Sequence, residues 1–115
     1  MPEYYGDMNL VFHALADGTR RAMVERLARG PASVSQLAEP FAMALQSSAQ
    51  HIGVLETAGI VTSTKVGRVR TVQLVPAALA AAAQWMSRQQ LPAEQRLDRL
   101  ESFLAGSDAS PQQGE

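Results

Sequence analysis

Two short sets of polar side chains in this chain are suited to contacting a polyanion. The first lies within QSSAQHIGVLETAGIV, residues 46–61. On a helix whose apolar side faces a core, a rotation of about 100° per residue places Gln46, Ser47 and Gln50 on the outer side and His51 on the flank. A Gln amide can bond bidentately to adenine, Ser can bond to a base or a phosphate, and His can reach a phosphate. These side chains can read bases but supply no fixed positive charge.

The second set follows closely and is basic. No Lys or Arg occurs from residue 46 to residue 64, whereas residues 57–75 contain Lys65, Arg68 and Arg70 and no acidic residue. The net charge of the whole chain is only −1, so any attraction to phosphate must be local. The spacing therefore favours two separate roles: the first set contacts bases, and the second set supplies the positive charge that attracts phosphates.

Hydrophobic periodicity predicts the elements that position these side chains. Two short helices, a tight turn and a two-stranded ribbon are typical of a winged helix-turn-helix, so the predicted fold is mainly α with a small β-hairpin. One domain is expected over residues 1–106, of which residues 1–6 form a loose leader, and a disordered tail is expected over 107–115. The predicted elements are helices at 8–16, 20–29, 34–41 and 45–57, a hairpin with strands at 60–66 and 69–75, and helices at 77–90 and about 93–105.

Capping and turn residues predict where several of these elements begin and end. Asp7 and Thr19 are predicted to cap the first and second helices. Gly59 is the expected left-handed residue after the fourth helix. A Gly67-Arg68 turn is expected to join the two strands of the hairpin, with Arg68 at its tip.

Composition excludes several classes of protein. The 115 residues are 46% hydrophobic and 18% charged, which is typical of a globular chain. With no cysteine the chain can form neither a disulfide nor a thiolate metal site. No apolar run of 18 residues and no signal-peptide pattern is present, so no membrane contact and a cytoplasmic location are expected.

Several short segments within residues 15–74 match a known family in order and spacing: Leu15-Ala16-Asp17, Thr19-Arg20-Arg21, SVSQLAEPF, Gln50-His51, VLETAGIV and Gly67-Arg68. With these segments the chain closely resembles the ArsR, or arsenic-repressor-like, family of winged-helix transcription regulators. The resemblance implies a homodimer that binds an inverted-repeat operator in double-stranded DNA and usually represses transcription. It also implies DNA contact by Arg20 and Arg21, which match the family's paired arginines; salt bridges such as Arg21 with Glu25 are the alternative.

The resemblance further implies dimerisation through the first helix and the C-terminal helices at 76–105. Apolar stripes on these helices agree with that expectation, because they exceed what so small a core can cover. Burial within the chain's own core is the alternative for each stripe. The expected interface residues are Leu10, Val11, Ala14, Leu79, Ala83, Met86, Leu97, Leu100 and Leu104.

Metal sensing, known in this family, is not expected here. The third helix offers only Glu39 as a ligand, and residues 76–91 contain no Asp, Glu or His, so a site with three or four ligands cannot form at either usual position. No cofactor and no enzymatic activity are predicted, since neither a phosphate loop nor a nucleophile with its base is evident. A small organic effector near Trp85, Met86 and Phe103, a partner protein, or no effector at all remain open.

Several departures from the family pattern concern the fourth helix, among them positions 44, 50 and 53. Relatives commonly have Lys or Arg at position 50 and Lys at position 53, where this chain has Gln50 and Gly53. Ala44 stands where relatives have a Ser or Thr cap, which costs about 1 kcal/mol of helix stability, and Gly53 costs roughly 1 kcal/mol relative to Ala. Two functions therefore remain in view: a DNA-binding repressor, and a winged-helix protein-interaction module, such as an anti-repressor or assembly partner, with weak or no DNA binding.

Overall fold

The computed structural model describes the backbone of residues 3–113 and the side chains of residues 8–106. Within this range the chain forms six α-helices and three β-strands, and a 3₁₀ turn at Glu39–Phe41 extends the third helix. In chain order the elements are α1 (Glu3–Leu15), α2 (Gly18–Leu27), β1 (Ala32–Ser33), α3 (Val34–Ala38), α4 (Leu45–Thr57), β2 (Val61–Val66), β3 (Val69–Leu74), α5 (Pro76–Ser87) and α6 (Pro92–Gln113).

The core of the winged-helix part is apolar and is shared by helices and sheet. Met23 of α2, Leu37 of α3 and Leu55 of α4 are fully buried together with Ile60 and Val72. Full burial of such a side chain stabilises the fold by roughly 1.5–3 kcal/mol. Because α4 contributes to this core along one side only, its orientation, and hence the set of residues on its outer side, is fixed by packing.

The helix-turn-helix consists of α3, the turn after it and α4. Ser33 begins α3 with a capping box: its hydroxyl accepts from the Gln36 backbone N–H, and the Gln36 side chain accepts from the Ser33 backbone N–H. The turn then contains Ala42 with a φ of 51°, a left-handed conformation that is unusual for a residue with a Cβ. This conformation redirects the chain so that α4 can begin three residues later.

The predicted hairpin is confirmed, but it belongs to a sheet of three strands. β2 pairs antiparallel with β3 from Val61↔Leu74 to Val66↔Val69, and Gly67 takes a φ of 61° in the two-residue turn, as a type II′ turn requires. The two-residue strand β1 lies on the other side of β3. The sequence prediction missed β1, because two residues are too few to show an alternating pattern.

Two predicted helix starts were wrong. The first helix begins at Glu3 rather than at residue 8, so position 7 lies within it and does not cap it. The second helix is capped by Asp17, whose carboxylate accepts from the Arg20 backbone N–H at 3.0 Å, and Thr19 lies inside the helix. Both Asp and Thr are good cap residues, and the extended backbone of Asp17, with a ψ of 129°, decides between them.

The C-terminal end of the chain also differs from the prediction. The described residues divide into two compact units, one ending at Ala83 and the other beginning at Gln84. α6 does not stop near Gly106, which keeps a helical backbone, and it continues through Gln113 where a disordered tail was expected. Residues 114–115 lie outside the described part. No side chain from residue 84 to residue 106 is fully buried, so this segment has no core of its own.

Candidate nucleic-acid interface

The outer side of α4 carries the residues that the sequence predicted there. Gln46, Ser47 and Gln50 are exposed, while Ile52 and Leu55 are buried on the opposite side. The predicted bounds of this helix, 45–57, are confirmed, and so is the left-handed Gly59 after it, with a φ of 78°. Leu45, the first residue of this helix, is 56% exposed.

Ser48 is the polar exception on the buried side of α4. It is fully buried, and its hydroxyl has no hydrogen-bond partner among the described residues. A buried hydroxyl without a partner costs roughly 1–3 kcal/mol. Together with the missing cap described next, this makes α4 less stable than its good packing suggests.

The N-terminus of α4 lacks a side-chain cap. Ala44 has the extended backbone of an N-cap residue, with φ −64° and ψ 150°, but it has no oxygen to accept from the first turn. Gln46 and Ser47, which the sequence predicted to contact bases, lie in that first turn. Fraying there would lower the stability of the helix and displace these two side chains.

We expect Ala44→Ser to stabilise the folded chain by about 1 kcal/mol, because a serine hydroxyl at this backbone position can accept from a first-turn N–H. Urea unfolding monitored by circular dichroism measures the change. Ala49→Ser on the exposed middle of the same helix is the matched control. It adds the same hydroxyl in the middle of the helix, where the backbone N–H groups are already paired, so it should be neutral or slightly destabilising. Equal effects of the two substitutions would contradict the capping argument.

The paired arginines of α2 are engaged with the end of α1. The Arg20 Nε–H donates to the Ala14 carbonyl at 2.8 Å, and Arg21 Nη1 donates to the Leu15 carbonyl at 2.8 Å. The last carbonyls of a helix have no partner within the helix and attract positive charge. Arg21 therefore closes the C-terminus of α1 instead of pairing with Glu25.

Arg20 also reaches the recognition helix, the name used below for α4. Its Nη1 lies 3.1 Å from Nδ1 of His51, and its Nη2 donates to the His13 carbonyl at 3.4 Å.

The hydrogen bond from the Arg20 backbone N–H holds the pKa of Asp17 below its ordinary value, and the nearby Arg20 guanidinium acts in the same direction. The Asp17 carboxylate thus stabilises the folded chain at any pH above the ordinary pKa of an aspartate. This stabilisation is lost as the pH falls through the lowered pKa.

The wing, defined as residues 61–74, carries the three predicted basic residues, all exposed. Arg70 lies directly opposite Lys65 in the strand register, but its Nη1 donates to the Ser63 hydroxyl at 2.9 Å. That hydroxyl donates in turn to the Glu56 carboxylate at 3.0 Å. Arg70 therefore ties the wing to the recognition helix, and part of its charge is balanced by an acid.

Sequence reasoning missed Glu56 and Ser63 as partners of this arginine. The available signal was that Glu56 is the sole acidic residue between 46 and 75. Lys65 and Arg68 have no hydrogen bond or ion pair with the side chains that the structure describes. The free positive charge of the wing therefore comes from these two residues.

This geometry can be compared with known proteins. A family model described as a helix-turn-helix domain matches residues 15–64. The HTH-type transcriptional regulator Rv2034 of Mycobacterium tuberculosis is 46% identical over 77 residues, which cover 67% of this chain and 72% of that protein. The crystal structure of an ArsR family transcriptional regulator superimposes with a TM-score of 0.73 at 48% identity, covering 78% of this chain and 93% of that one. This chain belongs to the ArsR family of transcriptional regulators.

A more distant relative is named for its effect on transcription. The transcriptional repressor SdpR of Bacillus subtilis is 29% identical over 79 residues, which cover 69% of this chain and 88% of that protein. The winged helix-turn-helix fold expected from the sequence is therefore confirmed both by the model and by proteins of the same family.

The predicted contact residues of α1 divide between core and surface in this ArsR family member. Val11 is 3% exposed and Ala14 is fully buried, and both pack in the chain's own core. They are therefore removed from the predicted dimer interface. Leu10, on the other side of the helix, is 40% exposed and stays available.

The predicted contact residues of the C-terminal helices lie mostly on the surface. Leu79 is half-buried, and Ala83 and Met86 are exposed. On α6 the predicted residues form an apolar stripe at spacings of three and four. Its members are Leu97, 62% exposed, and Leu100 and Leu104, each 53% exposed.

Two kinds of ligand site were considered from the sequence, a metal site and a site for a small effector. In the part of the chain that the structure describes, no three His, Asp or Glu side chains gather as metal ligands. Met86 and Phe103, considered from the sequence as contacts for a small effector, are 52% and 68% exposed. Within residues 3–113 no helix combines the length and apolarity needed to cross a bilayer.

Proposed function

We propose that this ArsR family member binds an inverted-repeat operator as a homodimer and represses transcription. In this proposal the recognition helix enters the major groove and the wing reaches the adjacent minor groove. The observation that carries it is the pairing of an exposed, uncharged helix face at Gln46, Ser47 and Gln50 with the unpaired cations Lys65 and Arg68 on the wing. Uncharged amides and hydroxyls discriminate between bases, whereas cations provide affinity without reading them.

The wing has less free positive charge for phosphate contact than its three basic residues suggested. Three basic residues on each wing would give six cations in a dimer, but the Glu56 carboxylate balances part of Arg70 through Ser63. Lys65 and Arg68 alone give four free cations in a dimer. Each phosphate contact contributes about 0.9 to the slope of log affinity against log salt, so we expect a wing contribution of roughly 3.6.

A homodimer is supported by the exposed stripe of α6 and by Leu10 of α1. A monomer that exposes Leu97, Leu100 and Leu104 by half or more leaves an apolar surface that a second copy can cover. Two-fold symmetry then matches an inverted repeat, because each recognition helix reads one half-site. The proposal includes no catalytic role and places the site of action in the cytoplasm.

The test is fluorescence anisotropy with the DNA that precedes the protein's own coding sequence, titrated at several salt concentrations. A saturable complex that a scrambled duplex of the same composition does not reproduce is the expected result. Absence of any such complex with genomic fragments at low salt, together with a stoichiometric protein partner, would instead establish the protein-interaction alternative. Binding that is unchanged by zinc, cadmium, arsenite or a chelator is expected, and release by any of these would contradict the absence of a metal site.

Gly53 offers a way to add charge to the recognition helix without disturbing the fold. A Cβ at this position would meet no atom within 4 Å, so a side chain can be introduced without a clash. Gly53→Lys should tighten operator binding by at least about tenfold and steepen the salt slope by roughly 2 for the dimer, provided that each new lysine reaches a phosphate.

Gly53→Ala is the matched control for that substitution. It supplies the same relief of helix entropy, about 0.5–1 kcal/mol of added stability, but no charge. Its salt slope should equal that of the unmodified protein. A steeper slope in the alanine variant would show that helix stability, and not charge, governs the change.

A further inference from the structure

The contact between Arg20 and His51 joins α2 to the recognition helix across 31 positions of sequence. An arginine side chain has donors only and does not lose its proton in proteins. The ring nitrogen that faces it must therefore be an acceptor, so His51 Nδ1 carries no proton in this contact. A neutral imidazole with a bare Nδ1 holds its proton on Nε2.

The edge of the His51 ring that carries Nε2 is the one available for a contact with DNA. Nδ1 and Nε2 lie on different edges of the ring, so the bond to Arg20 turns Nδ1 towards α2 and leaves Nε2 on the other side. His51 is half-buried, and its Nε2 has no hydrogen-bond partner among the described residues. It follows Gln50 directly, on the flank of the helix face proposed to enter the groove.

Arg20 is held firmly enough to orient this ring. One guanidinium bonds the Ala14 carbonyl, the His13 carbonyl and the His51 ring, and the backbone N–H of the same residue bonds the Asp17 carboxylate. Two of the three partners of the guanidinium belong to the end of α1, and the Asp17 carboxylate holds the Arg20 backbone at the cap of α2, so the side chain is anchored before it reaches α4. Its charge is used within the protein and is not offered to the solvent as the charge of Arg68 is.

We propose that Arg20 is a positioning residue that fixes His51 as the neutral Nε2–H tautomer, and that this Nε2–H donates a hydrogen bond to a backbone phosphate of the operator. The proposal rests on the proposed DNA-binding function and deepens it. It makes His51 an uncharged donor and makes Arg20 an indirect contributor to affinity. A direct Arg20–phosphate contact, expected from the family resemblance, is the competing assignment.

The first experiment needs no DNA. Ring ¹⁵N chemical shifts of the two histidines are measured in the free protein at about pH 8.5, which is two units above the ordinary imidazole pKa of about 6.5. His51 should show a protonated Nε2 and a hydrogen-bonded, bare Nδ1, whereas the exposed His13 should show the average of a ring in solvent. Arg20→Lys should move the His51 shifts to those of His13.

Arg21→Lys is the matched control, because it also loses a bond to the end of α1 but does not touch His51. It should lower the stability of the fold and leave the His51 shifts unchanged. His51 shifts that equal those of His13 in the unmodified protein, or that do not respond to Arg20→Lys, would overturn the tautomer assignment.

The second experiment measures operator affinity against salt for folded variants. Arg20→Lys and His51→Ala should each weaken binding about tenfold without changing the salt slope, because a neutral donor releases no counterion. Combining them should weaken binding no further. His51→Gln, which keeps an uncharged N–H at the Nε2 position, should recover most of the affinity.

The remaining outcomes separate this proposal from the proposed function. Wild-type affinity in Arg20→Lys, or a lower salt slope in Arg20→Ala than in Arg20→Lys, would establish a direct phosphate contact and overturn the positioning role. If the unmodified protein binds no DNA, the proposed function and the phosphate contact both fail, while the ¹⁵N shifts still decide whether Arg20 fixes the ring.

Discussion

Replacing both Lys65 and Arg68 by alanine should lower operator affinity on the order of a thousandfold at about 0.1 M salt and reduce the magnitude of the salt slope by roughly 3.6. The two residues are exposed and unpaired in the described structure, so a dimer loses four free cations. Because neither residue packs in the core, the stability of the fold should hardly change. Fluorescence anisotropy over a salt series, with thermal unfolding of the same samples, measures both quantities.

The control for this variant removes the same charge from elsewhere. Arg29 and Arg88 are exposed and lie outside the wing, so replacing both by alanine gives an equal change in net charge. That variant should keep the slope of the unmodified protein to within about one. Equal losses in the two variants would show that affinity depends on overall charge, and the assignment of the wing as the holding element would be wrong.

Replacing Leu97 and Leu100 by glutamate should convert the dimer into a monomer and lower operator affinity by at least about a hundredfold. Burying one leucine stabilises a contact by roughly 1.5–3 kcal/mol, and a symmetric interface buries four of these side chains. Glutamates in their place would bring like charges together across the two-fold axis. Sedimentation velocity over a range of protein concentrations measures the association.

A matched variant separates loss of the apolar stripe from added negative charge. Arg99→Gln combined with Ser102→Glu changes the net charge by the same amount on the side of α6 opposite the stripe, given about 100° of rotation per residue. It should remain dimeric and keep its operator affinity. A dimer that survives the leucine substitutions would exclude the stripe from the interface and leave Leu10 of α1 and the α5 residues to account for association.

Local signals in the sequence predicted the elements that carry these residues. The bounds of α4 were predicted correctly because apolar spacing, a turn before it and Gly59 after it all act within a few positions. The hairpin was predicted for the same reason, since Gly67-Arg68 interrupts two runs rich in Val and Thr. Where two local signals competed, as with Asp17 and Thr19, the sequence alone favoured the wrong cap.

The sequence by itself determined that this chain is a winged helix-turn-helix of the ArsR type, which residues of α4 face outwards, and that positive charge lies on the wing. Tertiary structure decided which of those residues are free to act. Arg70 is tied to Glu56 through Ser63, Arg20 is tied to His51, and Val11 and Ala14 lie in the core. The physical reason is that periodicity and capping depend on neighbours within a few residues, whereas the partner of a long charged side chain lies wherever the packed helices bring a carbonyl, a ring or a carboxylate within about 3 Å.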